Sequence, residues 1–322
     1  MAISKFLDPK NDVAFRRIFG SEKNKDILIH FINDILELKD GDKVKEITFL
    51  PTIQVPEIAA KKQSIVDVLC SDENGVQLII EMQVAPQEGF EKRAQYYAAK
   101  AYSRQLNKGK EEGARYIDLK AVIFIAISDN IIFQNKIFYK SDHIILDKNT
   151  YTNDLKDFSF TFIELPKFKI TNIDLLTNIV EKWCYFFKHA DETSEADLRK
   201  LIGSDNVIER AYEELNQFNW TEEELLIYER ETKRIMDNQA AEDYMLKQME
   251  RQVQQHIQQQ VQQQVQQHII DATLKAEAKG EARGKTERDT EIARSMLIDG
   301  DSVEKIARIT GLPIAYIQKL KS

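Results

Sequence analysis

The 322-residue chain is 43% hydrophobic and 30% charged, the balance of a folded globular protein rather than a disordered one. Its formal net charge of −8 excludes a globally basic nucleic-acid binder, so any contact with phosphate must come from a local patch. Cys70 and Cys184 are the only cysteines, far apart and without partners at metal-ligand spacing, so neither a disulfide framework nor a zinc module is expected; with no signal-peptide core and no apolar run near the roughly 20 residues of a bilayer span, a cytoplasmic protein with no membrane role is expected.

Four zones differ in texture. Residues 1–170 alternate helical and strand patterns, and residues 171–241 read as an amphipathic helical extension. Residues 242–275 are biased towards glutamine. After a charged link containing Gly280 and Gly284, residues 287–322 form a compact helical unit.

Within the first zone, Ile27, Leu28, Phe31, Ile32, Ile35 and Leu36 recur at helical spacing behind the start signals Ser21 and Glu22. Residues 44–55 read as a strand ended by Pro56. Two more strands, over 63–71 and 76–84, are joined by Asp72, Glu73, Asn74 and Gly75, a strong turn signal. A helix is predicted over 88–108, closed by Gly109. The nearly continuous apolar run at 119–128 is what a strand buried on both faces needs. Further strands are predicted at 136–139, 143–146 and 159–165. The order helix, three strands, helix, strand makes the fold class α/β.

The hairpin around residues 72–75 carries the chemistry. A loop of Glu73, Asn74 and Gly75, with glycine in the left-handed position, pairs Asp72 with Val76. Counting outward, Leu69 faces Ile79, Asp67 faces Glu81 and Ile65 faces Gln83. Asp67, Glu81 and Gln83 then share one face, because side chains alternate. Val66, Val68, Cys70, Leu78, Ile80, Met82 and Val84 occupy the other. Opposed carboxylates repel, and their apolar neighbours disfavour the charge further. A hard divalent cation such as Mg²⁺ or Mn²⁺ would remove the repulsion. Taken alone, the pattern is equally met by a different loop length that turns one carboxylate to solvent.

Residues 65–68 (IVDV) and 78–83 (LIIEMQ) resemble the D…(D/E)-x-K hairpin of the PD-(D/E)XK nucleases. With the flanks at 9–20 (PKNDVAFRRIFG) and 93–102 (RAQYYAAKAY), the chain is similar to the Rpn family of recombination-promoting nucleases and transposases. The resemblance covers most of the first zone. It implies a PD-(D/E)XK nuclease-like core and Mg²⁺- or Mn²⁺-dependent endonucleolytic hydrolysis of DNA, tied to recombination or transposition. Asp67 and Glu81 would be the metal ligands, with Gln83 completing the catalytic set where lysine is usual. Glutamine can orient water but carries no charge, so the alternative is a nuclease-derived DNA-binding or assembly protein of weak or no activity.

Asp12 is either a third acidic ligand, as the resemblance implies, or the cap of the helix that starts at Val13. Arg93, Tyr97, Lys100 and Arg104 fall on one helix face, either a DNA-backbone contact or an ordinary solvated face. His30, His143, His189, His256 and His268 lack mutual ligand spacing, and no Gly-rich phosphate loop occurs, which excludes an NTPase.

In the glutamine-rich zone, Met245, Met249, Val253, Ile257, Val261, Val265, Ile269 and Thr273 recur every four residues on a long helix. Such a stripe drifts by roughly 40° per step on a straight helix, so it is no plain heptad seam. Its expected use is homo-oligomerisation; a solvated spacer is the other reading. In the last zone, Gly300 ends a helix, Asp301 and Glu304 resemble a capping box, and Pro313 opens a final helix with Gln318, Lys319 and Lys321 as its polar residues. The spacing resembles a helix-turn-helix, for DNA contact or for assembly.

Overall fold

The computed structural model describes residues 5–54, 64–107, 115–203 and 206–320. Val55, Pro56, Gln63, Lys108, Gly109 and Lys321, which entered the reading above, lie outside them. The chain divides into two compact units, 1–240 and 241–322.

The first unit opens with α1 (Asp12–Phe19) and α2 (Lys25–Ile35). Strands β1 (Ile47–Phe49), β2 (Ile53–Gln54), β3 (Ser64–Ile65), β4 (Val68–Asp72) and β5 (Gln77–Gln83) follow, then α3 (Phe90–Ser103). After β6 (Val122–Ser128), β7 (Lys140–Ile144) and β8 (Phe158–Glu164) come α4 (Ile179–His189), α5 (Glu195–Ile202) and α6 (Asn206–Leu215). Among the described residues, six strands form one mixed sheet in the order β1-β4-β5-β6-β8-β7, and β2 pairs with β3 apart from it. β6 runs parallel to both β5 and β8. That central place explains its unbroken apolar run, since layers cover both its faces.

Two cores sandwich the sheet. Val68, Cys70, Leu78, Ile80, Met82, Ile125 and Ile127 point into a core shared with α1, α2, α4 and α6. Leu69, Ile79, Phe124, Ala126 and Phe162 point the other way, against Phe90, Ala94, Ala98 and Ala101 of α3. The alanine stripe lets α3 lie close on the sheet. Residues from the zones 1–170 and 171–241 share the first core, where Phe19, Phe31, Trp183 and Phe187 stack with centroids 5.0–6.0 Å apart.

Several local expectations are corrected. The span 63–71 is not one strand: it breaks between β3 and β4, with Asp67 at the break. Only Ile47–Phe49 and Ile53–Gln54 of 44–55 are strand, and one strand, Lys140–Ile144, replaces those expected at 136–139 and 143–146. The cap of α1 is Asn11, whose side chain accepts from the Val13 N–H at 2.9 Å, so Asp12 is the first helical residue instead.

Helix α7 (Glu222–Ile298) runs through Gly280 and Gly284, so helix replaces the expected link; one glycine costs only about 1 kcal/mol in a helix. In the second unit, Gly300 takes φ 88°, a left-handed value that ends the chain's helical run. α8 (Val303–Thr310) and α9 (Ile314–Leu320) then close on Ala293 through Ile306 and Ile317. Ser302 caps α8 without a side-chain bond, and Asp301 pairs with Lys305 at 2.7 Å rather than forming a capping box.

Trp183 is fully buried and its Nε1 donates to Asp34 Oδ2 at 2.8 Å. Trp183→Ala is expected to cost about 3–5 kcal/mol. Denaturant unfolding followed both by a probe on the sheet and by one on α4 should show one shifted transition for residues 1–240.

Candidate active site

The turn at 72–75 forms as its residues dictate. Gly75 takes φ 82°, the Asp72 N–H donates to Val76 O at 3.0 Å, and Asp72 Oδ1 accepts from the Asn74 and Val76 amides. The register follows from it: Ser71 opposes Gln77, Cys70 opposes Leu78, Leu69 opposes Ile79 and Val68 opposes Ile80. There the ladder stops. Ile65, expected opposite Gln83, pairs with Ile53 instead and is 52% exposed.

Asp67 sits at this break. Its Oδ2 accepts the Met82 N–H at 3.0 Å, the place where a strand would offer a main-chain carbonyl. The backbone around it kinks, and Val66 is carried into the α3-side core with Leu69 and Ile79 rather than the face expected beside Val68. Asp67 Oδ1 meets Arg16 Nη2 at 3.2 Å. Arg16 follows Asp12 by one helical turn, so both project from the same side of α1 towards Asp67.

Glu81 is 5% exposed, and its Oε1 has no hydrogen-bond partner among the described residues. Burial pushes its carboxyl well above the usual carboxylate range, and the neighbouring Asp67 charge pushes it further; Arg93, a hydrogen bond from the Asp67 backbone and Arg16 pull more weakly the other way. Asp12 is also raised, by burial first and then by Asp67 and Glu231, against Arg16 and Arg234. Its nearest cation is Arg234 of α7, at 3.7 Å.

Gln83 ends β5. Its Oε1 accepts from Arg93, which also donates to Gln87, and its Nε2 donates to Ala85 O. Arg93 thus turns inward from α3, its guanidinium 4.7 Å from the Phe90 ring and 5.8 Å from that of Tyr97. Tyr97 is half-buried on the α3-side core, where burial raises its phenol. Lys100 lies over the Tyr96 ring at 5.9 Å, and Arg104 begins the short turn after α3. Asp67, Glu81, Gln83 and Arg93 are therefore gathered at one sheet end, with Asp12 beside them. Lys100 lies farther along α3 and Arg104 just past its end.

Sequence reasoning missed the neighbouring strand ends. Gln83, Ser128 and Glu164 lie side by side in register at the C-terminal ends of β5, β6 and β8. Ligands of open α/β sheets bind at such ends. Glu164 forms an ion pair with Lys167 at 2.6 Å, their side chains 1% and 8% exposed. Arg16 was findable from its spacing of four from Asp12; a Glu164 hidden at the end of an apolar strand gave no such signal.

Among the described residues, no group of three or more His, Cys, Asp and Glu side chains is placed to hold a metal ion. The pair Asp67 and Glu81 nevertheless suits one. Two mutually repelling carboxylates, one with a buried, unpartnered oxygen, are the hard donors with which Mg²⁺ is held while it keeps several waters. No described helix is long and apolar enough to cross a membrane.

A family described as PD-(D/E)XK nuclease family transposase matches residues 9–245. No curated protein and no solved structure matches the chain.

A raised carboxyl means that the folded protein holds a proton the unfolded chain has released. Glu81 therefore contributes a loss of stability that grows as pH rises from the ordinary carboxylate range through its folded value. Glu81→Gln is expected to raise the thermal midpoint by a few degrees at neutral pH, with the gain vanishing in acid below that range. Melting curves across pH without divalent cations check this; a constant or opposite difference contradicts it.

Proposed function

The chain belongs to the PD-(D/E)XK nuclease family transposases, and from that premise we propose that it is a divalent-metal-dependent DNA endonuclease acting in recombination or transposition. The observation that carries the reading is the buried, unpartnered Oε1 of Glu81 facing the Asp67 charge. The arrangement disfavours the charged carboxylate, and a divalent cation would relieve it. Asp67 and Glu81 are the proposed ligands, with Asp12 as an outer acid.

Asp67 and Glu81 would hold Mg²⁺ or Mn²⁺, which would supply charge stabilisation for the phosphodiester under attack and activation of water near neutral pH. The chain's own residues do the rest. The Met82 amide fixes the Asp67 carboxylate through Oδ2, leaving Oδ1 to the exchangeable contact with Arg16. Arg16 is 51% exposed, and its guanidinium can turn from Asp67 to a phosphate oxygen of bound DNA. Gln83 carries no charge, but Arg93 brings a guanidinium against its Oε1. Arg93 thereby supplies the fixed positive charge usual at that position, and its role becomes electrostatic rather than that of an outer DNA contact. Tyr97, Lys100 and Arg104 continue along α3 as candidate backbone contacts.

Plasmid nicking with Mg²⁺ or Mn²⁺ tests the reading. Asp67→Ala and Glu81→Ala should each lower the rate at least about 100-fold, as loss of a principal transition-state stabiliser does, and chelation of the metal should abolish it. Nicking that survives both substitutions assigns the activity elsewhere. Arg93→Gln should lower the rate, and Gln83→Lys should restore more activity in that background than it adds to the wild type.

For the second unit we propose self-association. The four-residue repeat from Met245 to Ile269 is exposed throughout in the single chain, and a second copy is the economical cover for it. Deleting residues 242–273 should reduce the assembly mass measured by light scattering; an unchanged mass removes this use of the helix.

A further inference from the structure

At Gln83, two residues along β5 from Glu81, opens a cleft of about 580 Å³, bounded by the end of β5, the start of α3 and the loop after β6. Gln83, Gln87, Gln134 and Asn135 line it with amides, and Glu88 and Glu91 with acids. A second cleft of about 290 Å³ shares Glu91 and Phe133 with the first and continues towards His143 and Phe160. No lysine or arginine lines either one. Phe133 stands between them.

Phe133 is held more firmly than a loop residue requires. Glu164 Oε1 accepts from the Ile132 and Phe133 N–H groups at 2.6 and 3.0 Å. Lys167 Nζ donates to Phe133 O at 2.8 Å and pairs with Glu164 Oε2 at 2.6 Å. The ring rests edge-on against Phe162 at 5.1 Å and beside His143 at 5.0 Å. A buried ion pair is costly to desolvate, and apolar side chains could pin a loop as well. Here both main-chain groups of one aromatic residue are fixed by it, which preorganises that ring at the rim of the cleft.

We propose that these clefts, with Phe133 between them, form a binding site for unpaired nucleobases, which makes single-stranded or locally unpaired DNA the preferred substrate. The inference rests on the nuclease reading of Asp67 and Glu81 above and adds the substrate class. Glu88 and Glu91 would repel a phosphate in the larger cleft, so the backbone belongs at the arginine side of the site or near Lys136, whose Nζ lies 5.1 Å over one face of the Phe133 ring and 3.2 Å from His143 Nε2. A base is uncharged, offers donors and acceptors that the carboxamides of Gln134 and Asn135 can match in either orientation, and presents a flat face to a rigid aromatic ring. A paired base cannot reach such a pocket without leaving its stack. Stacking tolerates any base, so selection falls on strandedness more than on sequence.

The test uses the full chain without divalent metal, at one fixed salt concentration, with a labelled single-stranded oligonucleotide and the duplex of the same sequence. The single strand should bind at least about tenfold more tightly. Phe133→Leu keeps an apolar contact with Phe162 but removes the stacking face, and should weaken single-strand binding by about 5- to 100-fold, the range of one base–aromatic stack. It should leave duplex binding and the melting temperature nearly unchanged, while Phe133→Trp should bind the single strand as the wild type does. An abasic nucleotide walked along the oligonucleotide should, at one position, cost the wild type a similar factor and Phe133→Leu nothing further. Equal binding of both DNA forms with Phe133→Leu silent overturns the proposal, as does an abasic penalty identical in the two proteins. If duplex is nonetheless nicked with Mg²⁺ and Asp67→Ala abolishes nicking, the base site fails and the nuclease stands. If neither DNA form is bound or cut, both fail.

Discussion

One hydrogen bond organises the functional end of this protein: the Met82 amide gives its proton to the Asp67 carboxylate rather than to a strand carbonyl. A side chain that stands in for the main chain ends the β4–β5 ladder one pair short of Glu81. It also anchors a charge where a regular sheet would have continued. The Val66 reversal, the separate β2–β3 pairing and the approach of Asp67 to Glu81 accompany that substitution.

The resulting charge distribution is balanced from both flanking layers. Arg16 reaches in from α1 and Arg93 from α3, each lowering the Glu81 carboxyl without offsetting its burial. Neither arginine is placed as a closed salt bridge to Glu81, whose Oε1 keeps no partner. A fold optimised for stability alone would replace Glu81 with an amide or an aliphatic residue at little cost. This buried, incompletely paired carboxyl lies beside the row of polar strand ends formed by Gln83, Ser128 and Glu164.

Much of this was legible in the sequence because it is written in local rules. Gly75 and Asp72 fix the turn, the turn fixes the register, and the register brings Asp67 to the level of Glu81. The apolar run of β6 gives away its central position. What escaped depends on contacts between distant side and main chains. Alternation of apolar residues cannot announce that Asp67 replaces a ladder acceptor, so the strand was read straight through it. Asn11 and Asp12 are both competent caps, and only the backbone geometry decides between them. The polar segment before β7 holds isolated apolar residues, Ile137 and Phe138, that are exposed and build no strand. Glu164 carries its partner three residues away on a turn, yet its main bonds go to a loop some thirty residues earlier.

The parallel placement of β6 bears on how the molecule reaches its folded state. The β4–β5 hairpin needs only a short loop to close, so it can form early and place Asp67 near Glu81 before most of the chain is ordered. β6 has no such local partner: each neighbour is separated from it by a crossover that must be traversed before pairing brings any gain. The wall built from Phe133 and Glu164 depends on that pairing. The order expected from loop closure therefore brings Asp67 to Glu81 before Phe133 and Glu164 are set in place.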